Sequence, residues 1–233
     1  MSEKKLEVKP KGPAKPEARD EEEEMLKRTE EFFEGERPKG LEALAGELKG
    51  KKVLLFGPAR VGKTTLVLHL CKHLGRILYL DSDRNFPVPI PEYAKKIGVT
   101  KLTYEHVKSF KHALYLLKRT TADVVVVDSL SGLVAQLISE YGAGNPRATL
   151  LRVQYSEDLA KTCRDLFETA FVVTHSSSDF RRNVEVPRVT QPVLRYFDVI
   201  VKLSVDEEGR RLILKDFHVE IDFAGRLRWC GKQ

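Results

Sequence analysis

The sequence predicts an α/β fold with a mainly parallel central sheet flanked by helices and a C-terminal antiparallel hairpin. Three observations predict it. Short apolar runs at Val53–Phe56, Ile77–Leu80 and Val124–Val127 are continuous rather than alternating, as in strands covered on both faces. The stretches between them carry apolar residues at helical spacing, and strands alternating with helices imply βαβ units. Near the end the pattern changes. Val199–Val205, a turn at Glu208–Gly209, and Arg211–Phe217 read as a hairpin.

Taken in order, residues 1–19 hold Lys, Glu and three prolines (Pro10, Pro13, Pro16) with almost nothing apolar. Such a segment buries too little surface to offset its ordering entropy and is expected to be a disordered tail. Residues 20–40 read as a helix and linker. The Asp/Glu run suits a helix N-terminus, Met25, Leu26, Phe32 and Phe33 give it apolar contacts, and Pro38 and Gly40 end it. Residues 41–233 then form one expected domain. Within it, Val53–Phe56 is a strand followed by a glycine loop and a helix through Leu66–Leu74, and Ile77–Leu80 is a second strand. Glu105–Arg119 is expected as a helix with Phe110, Leu114 and Leu117 on one face. The four consecutive valines Val124–Val127 mark a central strand. A helix is expected over about 147–167, and a strand over Phe171–Thr174.

Composition narrows the function classes. The chain has 233 residues, 42% hydrophobic and 32% charged, enough for a sizeable core inside a charged surface. No run of about 18 apolar residues occurs, which excludes a transmembrane helix. The N-terminus lacks an apolar signal region. Cys71, Cys163 and Cys230 are odd in number and far apart, fitting neither a disulfide framework nor a zinc knuckle. Together these point to a reducing cytoplasm. Residues 1–40 hold ten Lys/Arg against twelve Asp/Glu; with the whole chain at +6, the remainder carries +8. A basic body is permissive for a polyanionic partner such as nucleic acid, though many cytosolic proteins share it. Three Asn and four Gln against abundant Lys, Arg and Glu fit a thermophile composition.

One motif is specific. Residues 57–64 read GPARVGKT, the full G-x-x-x-x-G-K-[ST] pattern, between a buried strand and a helix. Gly57, Pro58, Ala59, Arg60, Val61, Gly62, Lys63, Thr64 and Thr65 are the candidate cradle. Glycine at 57 and 62 lets the backbone curl so that its N–H groups face a phosphate chain, with the helix N-terminus aimed at the same anion. Lys63 would reach the β- and γ-phosphates of ATP, and the Thr64 hydroxyl would bind Mg²⁺. The bland reading is a glycine turn before a helix. Val124–Asp128 is an apolar strand ending in a carboxylate, so Asp128 is the second candidate Mg²⁺ residue; alone, such an Asp often only caps a turn.

These segments carry a resemblance. GPARVGKTT, ILYLDSDRNF at 77–86, VVVVDSLSGL at 124–133 and FVVTHS at 171–176, in that order, resemble the ATPase core of the RecA/RadA recombinase superfamily. The likeness runs over about residues 40–223, with GLEALAG at 40–46 similar to the lead-in before the first core strand. It is strongest toward the short archaeal RadB-like paralogues, which lack an extra N-terminal helix-hairpin-helix domain. The resemblance implies a RecA-like P-loop NTPase core, ATP with Mg²⁺, and further roles. Where the family has a water-orienting glutamate, this chain has Asp83, one methylene shorter, so slow hydrolysis is expected; Asp81 and Asp83 can equally cap a turn. Where the family has a γ-phosphate-sensing Asn-Gln pair, this chain has His175-Ser176. His175 can donate to phosphate, while Ser176 is too short to replace the glutamine, so weakened coupling to DNA is expected. His175 can equally be a hydrogen-bonded strand-end residue.

Two segments fall where the family binds DNA. Ser139–Thr149 holds Gly142, Gly144, Pro146 and Arg147; Ser176–Thr190 holds Phe180, Arg181, Arg182 and Arg188. Arginine beside an aromatic suits phosphate contact and base stacking. Asp179 and Glu185 reduce the second segment to +1, and a solvated loop is the plain alternative. The family's polymerising Phe-x-x-Ala segment has no match before residue 50. Phe110–Ala113 and Phe167–Ala170 match its letters but are expected inside core helices, so no long self-polymer is expected. The implied function is an ATP-binding recombinase paralogue with weak DNA-dependent ATPase activity, assisting recombination or repair. Its partners would be single-stranded DNA and possible recombinase or other repair proteins, with no membrane. The competing function is a nucleotide-dependent module that acts on protein partners. An unrelated P-loop kinase is disfavoured because no arginine-rich lid is evident.

Overall fold

The computed structural model describes residues 41–179, 184–205, 211–214, 217–221 and 227–230. The expected tail over 1–19 and the helix and linker over 20–40 lie outside them. Six parallel strands form the centre: β1 (Lys52–Gly57), β2 (Ile77–Asp81), β3 (Leu102–His106), β4 (Val124–Asp128), β5 (Thr169–Asp179) and β7 (Val199–Val205), in spatial order β7-β1-β5-β4-β2-β3. An antiparallel run continues past β7 through β8 (Arg211–Leu214), β9 (Phe217–Ile221) and β10 (Leu227–Cys230), while β6 (Val184–Pro187) folds back on β5.

The valine run shows why the sheet is central. Val124 and Val126 join one apolar cluster, with Val53, Leu55, Tyr79, Phe171 and Val173; Val125 and Val127 join the other, with Leu54, Phe56, Leu78 and Val172. Alternate residues of each strand thus feed opposite faces, and both faces are covered, so neither can be polar. The first face carries α1 (Leu41–Leu48), α2 (Lys63–Cys71) and α3 (Ile90–Ile97), packed through Leu44, Leu66 and Ile90. The second carries α4 (Phe110–Leu117), α5 (Leu130–Tyr141), α6 (Pro146–Leu166) and the short α7 (Gln191–Leu194), through Phe110, Leu133, Leu159 and Val193. Cys71 and Cys163 are free thiols inside these clusters, and burial pushes both up to about 12. Among the described residues no helix is long and apolar enough to cross a membrane.

Several boundaries differ from expectation. Glu105 and His106 are strand, not helix: β3 ends there, and α4 begins only after Ser109, whose hydroxyl accepts the His112 N–H at 3.2 Å. The expected loop Ser139–Thr149 shrinks to residues 142–145. Asn145 caps α6 by accepting the Arg147 N–H at 2.9 Å, and Pro146 opens that helix. The expected loop Ser176–Thr190 is largely a hairpin, with Ser176 opposite Pro187 and Asp179 opposite Val184. Phe167 lies just past α6 and Ala170 lies on β5, so this Phe-x-x-Ala match spans a helix end and a strand; Phe110 and Ala113 stay in α4, as expected. All four are buried and explained by packing. The C-terminal hairpin pairs Leu203 with Leu214, but Phe217 opens a third strand.

Candidate active site

The sheet register gathers the site. Gly57 lies opposite His175, and Asp81 lies opposite Asp128, so the candidate residues line the carboxyl ends of adjacent strands. That edge is where open α/β sheets bind ligands. At Gly57 the chain runs so close to β7 that a Cβ would overlap the Leu203 carbonyl oxygen. The loop then turns through Arg60 (φ 64°) and Gly62 (φ 92°), while Val61, 5% exposed, anchors it in the core. Pro58 is partly buried and Ala59 and Arg60 are exposed at the rim. Lys63 and Thr65 are buried, and the Lys63 Nζ donates to the Gly57 and Pro58 carbonyls at 2.9 and 2.6 Å. Burial lowers the Lys63 pKa, opposed by the charges of Asp128 and Asp83.

Thr64 and Asp128 meet. The Thr64 hydroxyl donates to Asp128 Oδ2 at 2.6 Å, and the Tyr79 hydroxyl donates to the same oxygen at 2.5 Å. The Asp128 carboxyl is buried; desolvation raises its pKa, while the two hydroxyl bonds pull it down. Two hard oxygen donors, one anionic, at the end of the phosphate-type loop fit Mg²⁺. When bound, that ion would neutralise phosphate charge, with Thr64 and Asp128 holding it. The Asp128–Ser129 peptide is cis.

Asp81 and Asp83 separate into two roles. Asp81 Oδ1 accepts the backbone N–H groups of Asp83 and Arg84 at 3.0 and 2.9 Å, and its Oδ2 accepts the Tyr104 hydroxyl at 2.8 Å. Asp81 is therefore a turn cap. Asp83 instead turns toward β5: Oδ2 accepts the Ser129 hydroxyl at 2.7 Å and lies 4.0 Å from His175 Nε2. His175 is fixed through its backbone, whose N–H donates to the Ser131 hydroxyl at 2.7 Å and whose carbonyl accepts the Arg188 N–H at 2.8 Å. Burial lowers its pKa, as does Lys63, against the pull of Asp83.

Of the candidate nucleic-acid residues, Arg147 and Arg188 lie among the described residues, and the Arg188 backbone N–H bonds to the His175 carbonyl. Arg147 stacks over Tyr141, its guanidinium carbon 5.7 Å from the ring centroid. Arg188 is exposed beside the hairpin. Phe180, Arg181 and Arg182 lie outside the described residues. Sequence reasoning missed Tyr79, Ser82, Ser129 and Ser131. Their signal was the hydroxyl residues around the two strand-end carboxylates, in the strings YLDSD and DSLS.

No family model matches the chain. Over 136 residues it is 31% identical to Protein RecA of Tropheryma whipplei (strain Twist), which covers 54% of this chain and 30% of the relative. Over 128 residues it is 30% identical to Protein RecA of Streptomyces venezuelae, 51% of this chain and 33% of the relative. Over 129 residues it is 30% identical to Protein RecA of Syntrophobacter fumaroxidans, 51% of this chain and 36% of the relative. The chain spans about a third of the length of these curated relatives. These partial matches are a distant likeness to RecA proteins, consistent with a RecA-like α/β core in the parallel sheet with the phosphate-type loop at its edge.

Proposed function

We propose that the chain is an ATP-binding recombinase paralogue, close in kind to short RadB-like proteins, that assists homologous recombination or DNA repair and hydrolyses ATP slowly. The observation that carries the nucleotide reading is the Thr64–Asp128 contact of 2.6 Å beside Lys63. In this reading the loop from Gly57 to Thr65 wraps the phosphates, Lys63 leaves the Gly57 and Pro58 carbonyls to meet the β- and γ-oxygens, and Mg²⁺ sits on Thr64 and Asp128. Asp83 and His175 face the γ-phosphate side. The DNA reading places single-stranded DNA against the β5–β6 hairpin, with Arg181, Arg182 and Arg188 on phosphates and Phe180 on a base.

Titrating the full chain with ATP, with and without Mg²⁺, tests the first part. Binding that tightens with Mg²⁺ supports it, and no binding in either condition overturns it. One observation favours a second reading, a nucleotide-dependent module for protein partners: the segment expected to be the first DNA loop is only residues 142–145 between two helices. Salt-dependent binding to single-stranded DNA separates the two. Phosphate contacts give a steep loss of affinity with salt, and a protein-only module gives none.

A further inference from the structure

We propose that His175 and Asp83 work as a pair, in which Asp83 orients the imidazole and the imidazole accepts the proton of the water attacking the γ-phosphate. This rests on the nucleotide reading above and assigns its proton transfer.

The geometry ranks the two side chains. Asp83 is the inner, fixed member. Its Oδ2 holds the Ser129 hydroxyl at 2.7 Å, and its Oδ1 lies 3.0 Å from the Ser82 hydroxyl, which also sits 2.8 Å from the Ser129 carbonyl. Helix α5 passes so close that a Cβ on Gly132 would overlap the Asp83 carboxylate, so the carboxylate has no room to swing that way. Gly132 is the residue that permits this approach. His175 is the outer member: its side chain is 31% exposed against 18% for Asp83, and its strand position faces Gly57, where the phosphate-type loop begins. A less exposed carboxylate, held by two hydroxyls, behind a more open imidazole is the arrangement of an oriented base. The Nε2–Oδ2 separation is 4.0 Å, and catalytic hydrogen bonds commonly tighten once substrate is bound.

Three charged groups face His175: Asp83 from the end of β2, Lys63 from the start of α2, and Arg188 after β6. Burial and the two cations disfavour the imidazolium, and Asp83 favours it; the net pKa lies below 6.5. At neutral pH the ring is uncharged and can accept a proton. In the step, the water oxygen forms a bond to the γ-phosphorus while the bond from that phosphorus to the β,γ-bridging oxygen breaks. The bridging oxygen keeps the electron pair as part of ADP. One water proton passes to the ring nitrogen that does not face Asp83. The imidazolium then returns it to the released phosphate or to solvent.

The test uses the full chain as wild type, His175→Asn and Asp83→Asn. Single-turnover ATP hydrolysis is followed from pH 5 to 8.5, and the His175 ring proton is titrated by NMR without nucleotide. The wild-type rate should fall about tenfold per pH unit below the NMR midpoint of His175. His175→Asn should slow hydrolysis on the order of 100-fold and remove that acid limb, with ATP affinity within about threefold of wild type. Asp83→Asn should slow hydrolysis and lower the His175 midpoint, because the favourable charge is gone. A flat wild-type profile across the His175 midpoint, a His175→Asn rate equal to wild type, or an unmoved midpoint in Asp83→Asn would each overturn the pair while ATP binding stands. Absence of ATP binding in wild type would overturn the nucleotide reading and the pair with it.

Discussion

The two halves of the site are built differently. Around β1, α2 and β4, with Tyr79 reaching in from β2, contacts are short and buried: Thr64 and Tyr79 hold one Asp128 oxygen at 2.6 and 2.5 Å, and Lys63 is 7% exposed. On the side of β2 and β5, Asp83 and His175 stand 4.0 Å apart with 18% and 31% of their side chains exposed. In the proposed reading the first half is the cation and phosphate cradle, and its donors already hold one another. The second half is looser and still has a distance to close. If the proposed function holds, holding a nucleotide and breaking its terminal bond fall to separate groups, and substitutions should separate them as well.

The largest effect should come from the cradle. Lys63→Ala removes the charge proposed to meet the β- and γ-phosphates. Charge-assisted bonds are worth about 1.5–3 kcal/mol each, so losing two should weaken ATP binding by about 100-fold or more. Calorimetric titration measures this, with circular dichroism confirming the fold. Unchanged affinity in a folded variant would remove the phosphate-type loop from function altogether. It would also erase the contrast between the two halves.

Asp128→Asn sharpens the contrast in a different way. A carboxylate buried without a cation carries a desolvation cost, seen in the raised pKa of Asp128. A folded-state pKa above the ordinary 3.8 makes this group's contribution to stability most favourable at acid pH, and that contribution is lost as pH rises through the folded value. At neutral pH the amide should therefore relieve the cost, and its oxygen can still accept from Thr64 and Tyr79. We expect the melting temperature without Mg²⁺ to rise by about 2–4 °C, for about 1 kcal/mol. Mg²⁺-dependent tightening of ATP binding should disappear. A fall in melting temperature would mean that the Asp128 charge stabilises the empty fold.

The sequence displayed the two halves unequally. The loop from Gly57 to Thr64 is a local pattern, so eight consecutive letters specify both the geometry and the chemistry. The valines of β4 announce burial on both faces in the same local way. β3 was missed because LTYEH sits at the edge of the sheet, paired on one side only, and none of its five residues is fully buried. A half-covered edge strand leaves no continuous apolar run. The short connection at 142–145 was read as long because its bounds were taken from the family's first DNA-binding loop, while Pro146 in fact opens a helix. The capping contact from Asn145 that sets this start is visible only in three dimensions. The Asp83–Ser129–His175 grouping joins the ends of three strands brought together by sheet order, so no spacing in the chain encodes it.

The hairpin bears on the comparison from outside both halves. Arg188 connects directly to His175 through its backbone N–H, so a ligand on the hairpin is mechanically joined to the looser half. Glu185 is paired with Lys202 at 3.0 Å, which leaves less negative charge opposing a polyanion there. Replacing Arg181, Arg182 and Arg188 together should flatten the salt dependence of single-stranded DNA binding by about two to three units of slope. ATP affinity should stay within about twofold, since none of the three belongs to the cradle. Equal slopes in the variant and wild type would move the DNA site elsewhere or remove it.

The smallest effect should come from Tyr79→Phe, and it tests whether the tight half is tight for a reason. Tyr79 is fully buried, its ring belongs to the apolar cluster with Val53 and Val126, and only its hydroxyl reaches Asp128. Phenylalanine keeps the ring and removes that single donor. Thr64 remains on the same oxygen, so Asp128 is still partnered, and the fold should lose about 1–2 kcal/mol at most. The functional effect depends on what the hydroxyl does. If it only satisfies a buried carboxylate, Mg²⁺ takes over that role on binding and the Mg²⁺ affinity changes little or rises. If it fixes the direction of the carboxylate, the variant must order Asp128 at the moment of binding, and Mg²⁺ affinity in the presence of ATP should fall about threefold to tenfold. The short 2.5 Å contact from a rigid, packed ring favours the second outcome. The Asp83–His175 side should not respond: hydrolysis at saturating ATP and Mg²⁺ should match wild type, because Tyr79 touches neither residue. A Tyr79→Phe variant that hydrolyses slowly even at saturation would show that the two halves are coupled through Asp128, and the division between holding and hydrolysing would have to be redrawn.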